Sequence, residues 1–242
     1  MQDIPINLNL IALTIFLGVV FGIYTSYFLI KKSIQSKSPN IFMGLLILVL
    51  SLIMFEGWLN YTSYIFKVLW LTNFSEPLNF IIAPLIFLFM TSLLGDKRSK
   101  LDWLHFIPFM LWLIYCLYFF SMTNEFKYND NIRVMQLTIP QLKLLSEYTG
   151  DPLSIRNYVN QATIIHILVY IIIISVRLLL SVKKRGETIL NTKSKVLISF
   201  RNSFYHFLII TVILIFVKST YESDVGDYLI FLYISLFIFY YL

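Results

Sequence analysis

The sequence predicts an all-α, polytopic membrane protein, a bundle of about seven transmembrane helices with the N-terminus outside and the C-terminus cytoplasmic. Hydrophobic residues make up 58% of the 242 residues and charged residues only 13%, which leaves too little polar surface to cover a water-soluble globule of this size. The apolar residues are gathered into stretches of membrane length. Lysines and arginines cluster in alternate connections between those stretches, as they do in multi-pass membrane proteins.

Seven apolar stretches can cross a hydrocarbon core about 30 Å thick, at a rise of about 1.5 Å per helical residue. They cover approximately residues 8–30, 41–66, 77–94, 103–122, 162–182, 200–217 and 227–242, and together they form a single transmembrane domain. The opening residues MQDIPINLN contain an acid and no base. We therefore expect the first span to remain in the mature protein, unlike a cleaved signal peptide. The longest connection, residues 123–150, is expected to be an external loop.

The basic residues orient the bundle. The connections after the first, third and fifth spans are strongly basic, whereas the opposite side is slightly acidic. The basic groups include Lys31, Lys32, Lys37, Lys97, Arg98, Lys100, Arg177, Lys183, Lys184 and Arg185. Because lysine and arginine accumulate on the cytoplasmic side, the N-terminus is predicted to lie outside. Membrane topology accounts for the net charge of +6, so we expect a lipid bilayer as partner and no direct nucleic-acid binding by these residues.

Two smaller features concern packing and metal binding. Gly18 and Gly22 form a GxxxG pair in the first span, which predicts a close approach of a neighbouring helix. The single cysteine, Cys116, lies within the fourth span, cannot form an internal disulfide and has no metal-ligand spacing around it. We therefore expect no metal site and no cofactor.

The stretch LIMFEGWLNYTSYIFKVLW, residues 52–70, begins as an apolar run that Glu56 interrupts. Helical periodicity places Asn60, Ser63 and Lys67 on the same face as this carboxylate. A charged group that faces lipid near the bilayer centre costs at least about 2.5 kcal/mol. The polar face should therefore turn toward the bundle interior or toward water. The competing interpretation is purely structural, with Glu56 extending to the headgroups beneath a belt of aromatic residues.

Other spans supply polar groups at a similar depth. We therefore predict a ligand-sensing cavity that opens to the outside and takes an unknown small ligand. Its predicted residues are Glu56, Asn60, Asn73, Glu76, Asn79, Arg156, Asn157 and His166. For His166 an interhelical hydrogen bond is the competing interpretation.

Three stretches carry a family resemblance: FEGWLNYTSYIFKVLWLTNFSEPLNFIIAPL, DWLHFIPF and DPLSIRNYVN. Together they resemble the membrane-embedded N-terminal region of bacterial AraC-type transcriptional regulators, in which a multi-span sensor-like domain precedes a cytoplasmic helix-turn-helix domain. The resemblance implies signal reception at the inner membrane of a bacterium. It leaves open whether the chain forms a homodimer. This chain ends at LFIFYYL without the DNA-binding domain, so it is either the membrane part of a longer regulator or a degenerate relative.

Three other functional classes compete with the sensor. A small transporter or proton-coupled carrier would use Glu56 and His166 as relay groups, but the unequal spans show no inverted repeat. An enzyme is not expected, because HExxH and GxSxG are absent from the sequence. A retinal-type photoreceptor is disfavoured, since residues 227–242 contain no lysine for a Schiff base.

Overall fold

The computed structural model describes residues 4–36, 38, 40–96, 98–144, 151–221 and 224–241. These residues form α-helices joined by turns and short 3-10 segments, and no strand occurs among them. The helices are α1 (Leu10–Ser36), α2 (Asn40–Tyr61), α3 (Asn79–Leu93), α4 (Ile107–Phe120), α5 (Asn124–Val134), α6 (Val159–Lys183), α7 (Lys195–Thr220) and α8 (Asp227–Tyr241). The predicted all-α class is confirmed.

Six helical segments in the described part of the chain are long and apolar enough to cross a membrane. They contain α1, α2, α3, α4, α6 and α7, with the 3-10 segments that precede α3, α4 and α6 adding to their length. The helix at the seventh predicted span is apolar but shorter, at Asp227–Phe239. The chain is thus a multi-pass helical membrane protein.

The outward surfaces of α1, α4, α6 and α7 are covered with large apolar side chains. These include Leu13, Leu17, Val20, Phe28, Leu111, Ile114, Leu117, Ile165, Ile172, Leu179, Val212 and Phe216. Soluble monomers rarely expose continuous apolar surface on this scale. A hydrocarbon environment suits these side chains, and the polar groups of the bundle must then be satisfied inside it.

Five helices form a ring. In order around it they are α2, α3, α6, α7 and α8, each packed against the next, and α8 closes the ring against α2. The helix α1 packs outside this ring against α2 and α8, and α4 packs outside against α3. Buried side chains such as Ile47, Ile86, Ile174 and Ile234 belong to the core shared by these helices.

The helix α2 ends at Tyr61, before the predicted end of its span at Phe66. The Thr62 hydroxyl donates to the carbonyl of Trp58 at 2.7 Å, and Ser63 adopts a left-handed backbone with φ 62°. A right-handed helix cannot continue through that conformation. The prediction that Ser63 and Lys67 extend the helical face of Glu56 is therefore wrong.

Part of the predicted external loop, residues 123–150, is helical. The helix α5 begins after Thr123, whose side chain accepts a hydrogen bond from the Phe126 N–H at 3.4 Å. Tyr128 and Ile132 of α5 are buried in a small second core that also contains Leu69. This contact holds α5 against the segment between α2 and α3. Residues 145–150 of the predicted loop lie outside the described residues.

Gly18 and Gly22 lie where α1 meets α2 and α8. A Cβ added at Gly18 would collide with Ser235 of α8 and Met54 of α2, and one added at Gly22 would collide with Ser51 of α2. The missing side chains allow α1 to approach both helices closely.

Replacing Gly18 with leucine should destabilise the protein, because the added side chain overfills the contact of α1 with α8. Overpacking typically costs about 1–3 kcal/mol, measured as the free energy of unfolding in detergent micelles. Val20→Leu is the matched control, since Val20 lies on the exposed face of α1 and should lose far less. Equal losses in the two variants would show that the glycine face makes no close contact.

Candidate ligand cavity

A cavity of about 1040 Å³ lies inside the ring of five helices. Its volume is at the upper end of the range for small-molecule sites. At one end, called here the polar end, it is lined by charged and amide side chains from α2, α3, α5 and the segment before α6. Towards the opposite end of the helices the lining is apolar and includes Leu46, Leu50, Ile86, Phe89, Ile234 and Phe237. The cavity therefore offers two different environments to one ligand.

Arg156 is the centre of the polar end. Its Nε and Nη2 donate to Glu76 Oε2 at 3.0 and 2.9 Å, and its Nη1 donates to Asp130 Oδ2 at 3.1 Å. The guanidinium also lies over the Phe119 ring, 4.7 Å from the centroid. Arginine suits this place because its planar fork can satisfy two carboxylates at once. The contacts connect the segments that begin α3 and α6 with α5.

The two carboxylates have further donors. Glu76 Oε1 accepts from Trp112 Nε1 at 3.1 Å. Asp130 accepts from Asn73 Nδ2 at 3.0 Å and from Arg133 Nη2 at 2.6 Å. Asn73 reaches Asp130 from a left-handed backbone, φ 61°, which asparagine tolerates better than most residues. The network thus neutralises and orders both acids.

Asp130 lies outside the membrane-length helices and is buried. Burial raises the pKa of a carboxyl group, but here the positive charge of Arg156 and the hydrogen bond from Arg133 outweigh it, so the pKa of Asp130 lies below its usual range. Burial also lowers the pKa of Lys127 in the same helix, whose Nζ donates to the carbonyl of Phe120 at 2.8 Å. The ionised form of Asp130 is part of the folded state.

Glu56 has a different environment. It is buried, and its Oε2 accepts from the Ser75 N–H at 2.8 Å, with additional hydrogen bonds from the Ser75 side chain and the Asn73 backbone. Among the described residues no cation forms an ion pair with it. Its carboxylate therefore caps the turn before α3 while it lines the cavity.

Two neutral groups of the cavity lining also stand out. Asn60 Oδ1 and Thr163 Oγ1 are buried and have no hydrogen-bond partner within the described residues. Buried polar atoms are nearly always paired in native proteins, and exceptions mark places where water or a ligand completes the site. Both residues belong to the cavity lining, as Glu56 does.

A second ion cluster lies where α7 meets α8. Lys218 Nζ donates to Asp224 Oδ1 at 2.8 Å and to Asp227 Oδ2 at 2.9 Å. All three residues line the cavity. The cluster connects the end of α7 to the start of α8 and closes that side of the ring.

The structure brings together seven of the predicted site residues, since Glu56, Asn60, Asn73, Glu76, Asn79, Arg156 and Asn157 all line the cavity. His166 is not among the lining residues. Its ring packs against Phe80 and Tyr170, with centroids 5.7 and 5.1 Å away, and both ring nitrogens are buried without a partner among the described residues.

Sequence reasoning missed Asp130 and the Lys218 cluster. A signal existed for Asp130, because Thr123 is a good N-cap residue and Asp130 and Arg133 have the i, i+3 spacing of a helical ion pair. No local pattern identifies Lys218 as a residue of the cavity, since that depends on how α7 and α8 pack.

The arrangement suits noncovalent binding of a molecule that has both polar and apolar parts. No group of His, Cys, Asp and Glu side chains in the described part of the chain could hold a metal ion. Comparisons with protein-family models, with curated proteins and with solved structures find no match. The function is therefore argued from the cavity itself.

Replacing Arg156 with methionine should destabilise the protein by about 3–5 kcal/mol, the cost of leaving buried acids without their cation. Arg133→Met is the matched control on the same carboxylate. Arg133 is 67% exposed in its side chain, and an exposed ion pair contributes at most about 1 kcal/mol. Chemical unfolding in micelles measures both variants. Similar losses in the two would contradict a central role for Arg156.

Stability should fall in acid, as the pH drops below about 4. Asp130 has a lowered folded-state pKa, so its contribution is complete above the unfolded-state pKa and is lost as the pH falls through the folded-state value. Asp130→Asn should flatten this acid limb when the melting temperature is followed by tryptophan fluorescence. Asp96→Asn, at an exposed carboxylate, should leave it unchanged. An acid limb that Asp130→Asn does not alter would contradict this assignment.

Proposed function

We propose that this chain is the signal-input domain of a bacterial membrane-bound transcriptional regulator. A small ligand occupies the cavity, shifts the packing of the ring helices, and the shift passes through α8 to a cytoplasmic helix-turn-helix domain of the full-length regulator. The single observation that carries the proposal is the cavity inside a closed helix ring, with ion clusters at its rim.

Ligand binding is supported by the character of the lining. The cavity combines an apolar interior with a few convergent polar groups, which is the usual composition of a small-molecule site. Asn60 and Thr163 have unpartnered buried oxygens there, and Glu56 has no paired cation within the described residues. A ligand can satisfy these groups without displacing an existing ion pair.

Signal transmission is supported by the position of α8. It packs between α7 and α2, and Phe231, Ile234 and Phe237 of α8 line the cavity. A ligand in the ring therefore contacts the helix that leads to the C-terminus. A cue can shift a conformational equilibrium only if it binds two helix arrangements with different affinity. A ligand that contacts all five ring helices has an affinity that depends on how those helices are arranged.

The regulator context rests on the resemblance to AraC-type membrane regions and on the charge asymmetry of the sequence. The basic connections put the C-terminus on the cytoplasmic side by the positive-inside rule. The polar end of the cavity then lies toward the outside. In this orientation an external or intramembrane cue reaches the cavity from outside. The proposed helix-turn-helix domain then lies in the cytoplasm, where the DNA is.

A carrier is the alternative function for the same cavity. In that case Glu56 would relay protons together with His166, although His166 lies outside the lining. Proteoliposomes that hold a pH-sensitive dye separate the two classes. We expect no ligand-dependent proton flux from a sensor, whereas a flux that is lost in Glu56→Gln would favour the carrier.

Ligand binding itself can be tested with three amphiphiles that share one chain, hexadecylamine, hexadecanol and hexadecanoate, added to the protein in phosphatidylcholine nanodiscs. We expect at least one of them to raise the melting temperature of the protein. Ile210→Trp should abolish this shift, since Ile210 lines the cavity on α7 and the larger ring fills it. Its neighbour Ile209 is exposed on the outer surface, so Ile209→Trp should retain the shift. No shift with any amphiphile, or equal shifts in both variants, would contradict a ligand cavity.

A further inference from the structure

The charge of the cavity lining is strongly unbalanced. Among the described residues, six carboxyl groups line it, against three lysine and arginine side chains. Each of the three cations already has an acidic partner: Arg156 pairs with Glu76 and Asp130, Arg133 with Asp130, and Lys218 with Asp224 and Asp227. No lysine or arginine in the described part of the lining is left to receive an anion, and negative charge is in excess there.

Glu56 is a buried acid of this lining that has no ion pair among the described residues. It is 6% exposed, and none of the described ion pairs includes it. Hydrogen bonds from the turn at Asn73 and Ser75 stabilise the carboxylate, but they supply no formal positive charge. An ionised carboxylate in a membrane interior is stabilised far more by a cation than by neutral donors. Glu56 is thus a buried acid for which the described residues supply no cation.

Two other oxygens of the cavity lining also lack a partner among the described residues. Asn60 lies one helical turn beyond Glu56 on α2, so both project from the same face. Its Oδ1 and the Thr163 Oγ1 across the cavity on α6 are buried and unpartnered. The Asn60 amide oxygen accepts hydrogen bonds, and the Thr163 hydroxyl both accepts and donates them. The polar end near Glu56 therefore calls for a group that donates several hydrogen bonds and carries positive charge.

The apolar part of the cavity is long. From Glu56 the lining continues down α2 through Ile53, Leu50 and Leu46 to Met43, which spans roughly 20 Å at about 1.5 Å per residue. Ile86 and Phe89 of α3 and Phe237 of α8 line the same part of the cavity. An apolar space of this length below a polar group accommodates one extended hydrocarbon chain.

We propose that the ligand is a single-chain cationic amphiphile, with its ammonium group between Glu56, Asn60 and Thr163 and its alkyl chain along α2 towards Met43. This inference rests on the proposed function, since it names the ligand class of the same cavity. A fatty acid places a second carboxylate beside Glu56. A fatty alcohol fits the apolar part but leaves the charge of Glu56 uncompensated.

The test compares the affinities of hexadecylamine, hexadecanol and hexadecanoate for the protein in phosphatidylcholine nanodiscs, measured by native mass spectrometry. A charge-assisted hydrogen bond typically contributes enough to raise affinity about tenfold or more. We expect hexadecylamine to bind at least about tenfold more tightly than the other two. Glu56→Gln should remove that preference, because the glutamine keeps the shape and loses the charge. Asp96→Asn, at an exposed carboxylate outside the cavity lining, should retain it.

Each other outcome has a definite meaning. Equal or tighter binding of the alcohol or the fatty acid, still blocked by Ile210→Trp, overturns the cationic ligand and leaves the ligand cavity standing. Hexadecylamine binding that Ile210→Trp does not reduce shows adsorption to the bilayer and overturns the inference. Binding of none of the three contradicts the proposed function as well. If Glu56→Gln fails to fold, the ranking of the three amphiphiles on the wild-type protein decides the question.

Discussion

Arg156 is the constraint on which the rest of the structure depends. Arg156 lies at the end of an apolar bundle whose outer surface faces hydrocarbon. Its positive charge is therefore stabilised by acids inside the bundle. Glu76 supplies one such acid from the turn before α3, and Asp130 supplies the other from α5. The three elements are therefore fixed relative to one another. With that end of the ring fixed, α2, α3 and α6 surround the space that forms the cavity.

The cavity is a consequence of how the ring is closed. Glycines let α1 lie close to α2 and α8 on the outside, while Lys218 joins α7 to α8 through two aspartates. The glycine contacts and the ion cluster thus lie at the exterior and the rim of the ring, and the interior near Glu56 retains polar atoms without a partner among the described residues. Buried polar groups left unpaired by folding cost stability. A ligand that satisfies them recovers that free energy, which is the physical basis of the binding that we propose.

Much of this fold was predictable from the sequence, because a bilayer restricts what a chain can do. Hydrocarbon-length apolar stretches predict the long helices, and the cost of a charge in lipid predicts that Glu56 faces inward. The end of α2 was not predictable from periodicity, since the left-handed Ser63 interrupts a run that remains apolar afterwards. The role of Asp130 depends on a tertiary contact made across a long connection. His166 lies off the cavity face of α6, which Thr163 and Ile167 define, and the helix rotation that decides this is set by packing against Phe80.

An elongated ligand, with its polar group at Glu56, is what we propose for the helix ring. Electron cryo-microscopy of the protein in phosphatidylcholine nanodiscs with hexadecylamine tests this proposal most directly. We expect continuous tubular density from Glu56 along α2 towards Met43, enclosed by α3, α6, α7 and α8. A ring whose helices have collapsed onto one another, with side chains filling the space below Glu56, would contradict it.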